Sequence, residues 1–289
     1  MAATGKNNQG KNDSKRNNLK ENATDFKEKI SNGEPMRLNK FLSDAGVCSR
    51  RQADRYVEQG RILVDGEPAQ MGQKVHAGQD IRVDGKRVSV SRKQIVLAVN
   101  KPKGIVCTTE KREKDNIVDF IGYPERIYPV GRLDKDSEGL ILMTNDGEFA
   151  NAMTHPSMHI PKTYRVTVRP SITEDQITEM TVGMMIDGKK TAPAQVNVIS
   201  QEPGRVVLEI ILYEGRNRQI RNMCEQLGLE VARLKRVACG PVKLGMLQPG
   251  EYRRLTAEEV KKLNTAAKSN KNAGIESRDG HDNRKTYRR

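Results

Sequence analysis

The sequence predicts an α+β fold in two parts: a small helix-helix-strand unit, then a larger domain with a mixed, mainly antiparallel sheet flanked by helices. Three observations lead there. Residues 36–60 carry helical apolar spacing twice, with a capping box opening the second helix. Two short apolar runs closed by Asp-Gly turns follow. From Ile95 onward, strand-like and helix-like segments alternate without the regularity of a βαβ repeat.

Residues 1–35 are rich in Asn, Lys and Gly and offer too little apolar surface to offset ordering entropy, so they read as a disordered polar extension. Leu38, Phe41 and Leu42 then share one helical face, and Ser49-Arg50-Arg51-Gln52 has the Ser-x-x-Gln form that caps the next helix, which ends at Gly60. Ile62-Leu63-Val64 and Ile81-Arg82-Val83 are strands turned by Asp65-Gly66 and Asp84-Gly85. This unit with its linker spans 36–90. In the second part, 91–263, the clearest strands are 95–99, 140–144, 164–168, 196–199 and 206–212. Helices are expected near 116–121, 147–153, 173–181 and 217–227, and Thr256-Ala257-Glu258-Glu259 opens a last one. Residues 264–289 lose periodicity and read as a disordered basic tail.

The net charge is +14, which suggests a polyanionic partner. Its distribution is uneven: 261–289 hold 9 basic and 3 acidic groups, whereas 91–260 hold 25 and 22. The tail therefore reads either as a loose polyphosphate tether or as a solubilising extension. No 18-residue apolar run or secretory leader pattern is present, so the expectation is a cytoplasmic chain without a membrane partner. Cys48, Cys107, Cys224 and Cys239 contain no C-x-x-C pair and no zinc spacing with the four histidines, which argues against a metal site and a disulfide scaffold. Tryptophan is absent and aromatics are 4%, so any base stacking must rest on one or two rings.

In the helical pair, Arg37, Lys40, Arg50, Arg51 and Arg55 are basic, and Arg51 and Arg55 share a face. Arg50 and Arg51 fall in a first turn, where the helix dipole disfavours cations. Phosphates there would let free N–H groups and guanidinium groups act together, although a solvated basic face has the same spacing. Met36-Arg37-Leu38-Asn39-Lys40-Phe41-Leu42, Gly46-Val47-Cys48-Ser49-Arg50-Arg51-Gln52-Ala53 and Gly60-Arg61-Ile62-Leu63-Val64-Asp65-Gly66 together resemble the S4-type RNA-binding module. That resemblance implies recognition of structured RNA by shape and phosphate contacts, with Arg37, Lys40, Arg50 and Arg51 as RNA-binding residues.

The most informative stretch is Gly131-Arg132-Leu133-Asp134-Lys135-Asp136-Ser137-Glu138-Gly139, which feeds the apolar Leu140-Ile141-Leu142-Met143. Asp-x-Asp-x-Glu-Gly suggests a calcium loop, but the twelfth position, which needs a bidentate Glu, is Asn145. An acidic residue remains in a glycine-bracketed loop before a buried strand, where catalytic side chains tend to sit; a turn-capping aspartate fits equally.

Taken with Asn100-Lys101-Pro102-Lys103-Gly104, Lys162-Thr163-Tyr164-Arg165-Val166 and Glu214-Gly215-Arg216-Asn217-Arg218-Gln219-Ile220-Arg221-Asn222-Met223, this loop resembles the RsuA/RluB/RluE/RluF family of ribosomal RNA pseudouridine synthases over about 36–260. Asp115-Asn116-Ile117-Val118-Asp119-Phe120 is nearest the RluF type, whereas Arg126-Ile127-Tyr128-Pro129-Val130 fits RluB equally.

The resemblance implies a cofactor-free isomerase that breaks the bond from C1′ to N1 of a uridine in large-subunit ribosomal RNA, turns the base, and joins C1′ to C5. It implies that Asp134 is the catalytic carboxylate, acting as nucleophile or proton acceptor, that Arg221 pairs with it, and that Tyr164 stacks on the target base. Asn217 is placed to cap the helix that carries Arg221. Arg132, Lys162, Arg216 and Arg218 flank these motifs as phosphate contacts, while Lys101 and Lys103 fit a solvated loop as well. His155 and His159 have Pro156 between them and no third ligand. The expected assembly is a monomer, with transfer RNA a further candidate substrate. Two other readings stay open: a non-catalytic RNA-binding or ribosome-assembly factor, and glycosidic hydrolysis by Asp134 with Asp136 or Glu138.

Overall fold

A computed structural model describes residues 34–279 except 77 and 90–92. Residues 1–33 and 280–289, with most of the expected N-terminal extension and the end of the tail, lie outside it. The chain divides into two compact units at Gln94 and Ile95.

The first unit runs β1 (Met36–Arg37), α1 (Leu38–Asp44), α2 (Arg50–Glu58), β2 (Ile62–Val64), β3 (Glu67–Pro68), β4 (Lys74–Val75), β5 (Ile81–Val83) and β6 (Lys86–Arg87). The capping box forms as expected: Ser49 Oγ accepts from the Gln52 amide, and the Gln52 side chain accepts from the Ser49 amide. Asp65 and Asp84 adopt φ of 53° and 50° before Gly66 and Gly85, the left-handed pairs that a tight hairpin requires. Order β3-β2-β5-β6 results, with Leu38, Leu42, Ala53, Ile62 and Ile81 in a common core.

The second unit begins with β7 (Val96–Lys101), α3 (Ile117–Ile121), β8 (Tyr128–Val130), β9 (Glu138–Thr144), α4 (Gly147–Thr154) and β10 (Lys162–Arg169). There follow α5 (Glu174–Val182), β11 (Met185–Ile186), β12 (Lys189–Lys190), β13 (Gln195–Glu202), β14 (Arg205–Leu212) and α6 (Gln219–Gln226). It closes with β15 (Glu230–Cys239), β16 (Val242–Lys243), β17 (Tyr252–Arg254) and α7 (Ala257–Asp279). The sheet order is β13-β14-β10-β15-β9-β7-β17, with only the β15–β9 pairing parallel, so the sheet is mixed and mainly antiparallel.

Strands β7 and β9 are covered on both faces, which explains their unbroken apolar runs. Val96, Ala98, Leu140 and Leu142 meet Phe149 of α4 and Leu263 of α7. The alternate residues Leu97, Val99, Ile141 and Met143 pack instead with Ile117 of α3, Cys107 and Leu133. Helices α5 and α6 cover β10 and β14 through Met180, Ile220 and Met223.

Two expectations need correction. The reading of 264–289 as a disordered tail fails over 264–279, where α7 continues. Val260, Leu263 and Ala267 lie three and four residues apart and are all buried, so packing of one face stabilises a helix that composition alone argued against. Strand β15 was not expected, yet it lies between β10 and β9. No helix among the described residues is long and apolar enough to cross a membrane.

Candidate active site

Asp134 sits in the loop between β8 and β9. Leu133 anchors that loop from one side: it is buried against the β7–β9 face, and its amide donates to Cys107 Sγ at 3.4 Å. Gly131 and Gly139 bracket it with φ of 75° and 105°. Gly139 is required for a second reason. A Cβ there would lie 2.2 Å from the carbonyl oxygen of Arg236, its partner in the β9–β15 pairing.

Lys101 holds the loop from beneath. Of the readings open for Lys101, the solvated loop does not hold: it ends β7, whose six residues are all buried, and its side chain is fully enclosed. Its Nζ donates to the Ser137 carbonyl at 2.7 Å and the Pro102 carbonyl at 2.9 Å, with the Lys135 carbonyl at 3.5 Å. Burial pushes the Lys101 ammonium below the usual lysine range, against the opposing pull of Cys107, Asp136, Asp134 and Glu138. Lys103 is exposed.

Above the loop stand two arginines. Arg218 Nη1 lies 3.7 Å from Asp134 Oδ2 and 3.5 Å from Asp136 Oδ1. Arg221 Nη2 lies 3.0 Å from Asp136 Oδ2 and also reaches the Asp136 carbonyl and Ser137 Oγ, both at 3.4 Å. The expected pairing is thereby revised: Arg218 faces Asp134, while Arg221 braces the loop through Asp136. Arg221 Nε is buried without a hydrogen-bond partner among the described residues. Asn217 does not cap α6 either. Arg218 occupies the N-cap with φ 46°, a left-handed conformation that costs a non-glycine residue about 1–2 kcal/mol. The bend turns that arginine toward the carboxylates.

Tyr164 lies on β10, half-buried, packed against both the β10–β14 core and the cluster containing Leu133. Its cross-strand neighbour is Arg236. That arginine was missed with its strand, and it is 5% exposed. Its Nε donates to the Leu140 carbonyl at 2.6 Å. Burial opposes its charge, but Tyr164 and the cysteines 239 and 107 nearby hold its pKa above the ordinary arginine value. A second signal of this kind, an arginine where an inward aliphatic belongs, would have been needed to find it from sequence.

The flanking basic residues divide. Arg132 is exposed beside Asp134. Lys162 is half-buried, donates to the Ile160 carbonyl at 3.0 Å, and is pushed down by burial. Arg216 is drawn away into structure, donating to the carbonyls of Lys189 and Lys190 and pairing with Glu214. In the first unit Arg37, Arg50 and Arg51 are exposed, and Lys40 pairs with Asp44 at 3.4 Å. The four cysteines are free thiols.

A carboxylate facing one arginine, in a loop tied down by a buried lysine and braced by another arginine, can serve covalent or proton-transfer chemistry without a metal ligand set. Comparison with known proteins defines the chemistry. Residues 95–226 match the RNA pseudouridylate synthase family and residues 36–81 the S4 domain. The chain is 43% identical over 227 residues to the dual-specificity RNA pseudouridine synthase RluF of Escherichia coli strain K12, covering 78% of this chain and 77% of that protein. It is 37% identical over 242 residues to the ribosomal large subunit pseudouridine synthase B of Bacillus subtilis strain 168, covering 82% of this chain and 99% of that one. A crystal structure of a pseudouridylate synthase superposes with a TM-score of 0.58 at 30% identity, covering 79% of this chain and 99% of that one. The chain therefore belongs to the RluF/RsuA family of RNA pseudouridine synthases, isomerases that here carry an S4 RNA-binding domain.

Proposed function

We propose that this chain isomerises a specific uridine of large-subunit ribosomal RNA, with Asp134 as the catalytic carboxylate. The observation that carries the assignment is the setting of Asp134. Its side chain is 34% exposed at the rim of an otherwise anchored loop, with Arg218 across from it. A carboxylate so placed is open to an incoming nucleotide yet fixed in position, which is what oriented attack or proton transfer demands. Relatives named for the large ribosomal subunit and for RluF support the substrate class.

In this reading the S4 unit grips RNA through Arg37, Lys40, Arg50 and Arg51, and the enzyme draws the uridine from its stack. Tyr164 supports the extruded ring, a contact worth about 1–3 kcal/mol. Asp134 then acts at the sugar or the base while the C1′–N1 bond breaks, and Arg218 balances its charge. The uracil turns, C5 joins C1′, the C5 proton leaves to water, and N1 takes up a proton in its place. Arg132 and Lys162 hold phosphates, and Arg221 keeps the loop in shape with one Nε–H still to donate. The enzyme works as a monomer and without a cofactor.

Loss of the C5 hydrogen gives the test. Large-subunit ribosomal RNA transcribed with 5-tritiated uridine is incubated with wild type and with Asp134→Asn. Wild type releases tritium to water, and Asp134→Asn binds RNA equally but releases none. Release by the variant at the wild-type rate removes Asp134 from the chemistry. RNA binding by wild type without tritium release favours a non-catalytic assembly factor, and free uracil in the products indicates glycosidic hydrolysis.

A further inference from the structure

We propose that Arg236 is a positioning residue for the reaction: it fixes the Tyr164 hydroxyl, and with it the plane of the ring, relative to the strand that carries the catalytic loop. The inference rests on the reading of Tyr164 as the ring beneath the target base.

Arg236 stands where β15 is bonded on both sides. On one side it is directly opposite Tyr164; on the other it pairs with Gly139, the last residue of the Asp134 loop bracket. The register shifts at this point, since Thr163 faces Ala238 while Tyr164 faces Arg236, leaving Val237 as the extra residue of a bulge. Bulges re-aim a side chain beside an active site, and this one sets Arg236 and Tyr164 as a cross-strand pair on one face. Gly139 offers no side chain on the other flank, so the guanidinium reaches the Leu140 carbonyl at 2.6 Å. The Tyr164 phenol, opposite it in register, is among the groups that favour the charge of the same guanidinium.

The energetic argument is one of cost. A guanidinium does not shed its proton, and burying it without a carboxylate is unfavourable. Among the described residues Arg236 has no carboxylate partner, although Arg233, three residues away on the same strand, takes Glu138 at 2.5 Å. An aliphatic residue would serve a buried strand better. What Arg236 adds is a rigid fork that ties a β10 phenol to a β9 carbonyl, spanning the two strands on which base support and carboxylate depend.

The test is a mutant cycle in single-turnover tritium release from 5-tritiated large-subunit ribosomal RNA, with RNA binding measured in parallel. Tyr164→Leu removes the ring, Tyr164→Phe only the hydroxyl, and Arg236→Met and Arg236→Lys the fork. Tyr164→Phe and Arg236→Met should each slow release about tenfold with RNA binding unchanged, and the double variant should be within about threefold of the slower single, because both remove one coupling. Arg236→Lys keeps the buried charge and the fold but not the fork, so it should show the same rate loss. Multiplicative losses in the double variant, or wild-type rates in Arg236→Lys or in Tyr164→Phe, overturn the proposal. A wild-type rate in Tyr164→Leu would instead overturn the reading of Tyr164 itself.

Discussion

Replacing Gly139 with alanine tests whether strand contact, rather than loop chemistry alone, sets the position of Asp134. The new Cβ would lie 2.2 Å from the Arg236 carbonyl oxygen, 2.8 Å from its nitrogen and 3.0 Å from its carbonyl carbon. All three are backbone atoms, so no side chain can swing aside. Restoring ordinary contact requires β9 and β15 to separate by about 1 Å, and overpacking of this kind costs about 1–3 kcal/mol. The φ of 105° adds a conformational penalty of about 1–3 kcal/mol for any L side chain. Gly188 separates the two contributions. It has φ 72° and nothing within 4 Å of its added Cβ, so Gly188→Ala reports conformational strain alone. Both lie in the second unit, so both are read in the same denaturant transition by far-ultraviolet circular dichroism. Gly139→Ala should be the less stable by about 1–3 kcal/mol. A 1 Å displacement of reacting groups can cost about 100-fold in rate, so tritium release should fall by that order while Gly188→Ala stays near wild type. Equal stabilities and equal rates for the two variants would refute the argument.

Leu263→Ala, at a fully buried position of α7, should destabilise the second unit by about 2–5 kcal/mol in the same denaturation; a change below about 0.5 kcal/mol would show that the helix is not part of the core. Lys101→Met should alter the pH dependence of stability. The folded pKa of Lys101 is depressed, so its burial penalty is fully present below that pKa and disappears as pH rises toward the ordinary lysine value. Wild type should therefore gain stability relative to Lys101→Met between neutral pH and about pH 10.5, and an unchanged difference across that range would place the ammonium in water.

Local signals carried most of the fold. Capping residues and Asp-Gly turns act through neighbours in sequence, so Ser49 with Gln52, Thr256 with Glu259, and Asp84 with Gly85 could be recognised directly. Strand β15 escaped because Arg233, Lys235 and Arg236 interrupt its apolar alternation, and only its partners reveal that Arg236 points inward. Lys101 was left open for a related reason: next to Pro102 and Lys103 it resembles a turn, and its enclosure depends on the carbonyls of Lys135 and Ser137, supplied by the loop 34 and 36 residues away, together with that of Pro102. Asp134, Tyr164 and Arg221 were visible as motif residues. Which arginine faces which aspartate was not, since it depends on the left-handed backbone at Arg218.

The length of α7 changes how the basic end of the chain presents its charge. Its 23 residues at about 1.5 Å per residue make a rod of roughly 34 Å, clamped at its base by Val260, Leu263 and Ala267. Lys261, Lys262 and Lys268 ride on that rod, so their charge is delivered along one direction. A flexible tether samples a sphere and gains reach with length; a clamped rod trades that volume for a fixed bearing. Those three lysines are thus held at set heights above the core of the second unit, where a tether of equal length would leave them to wander.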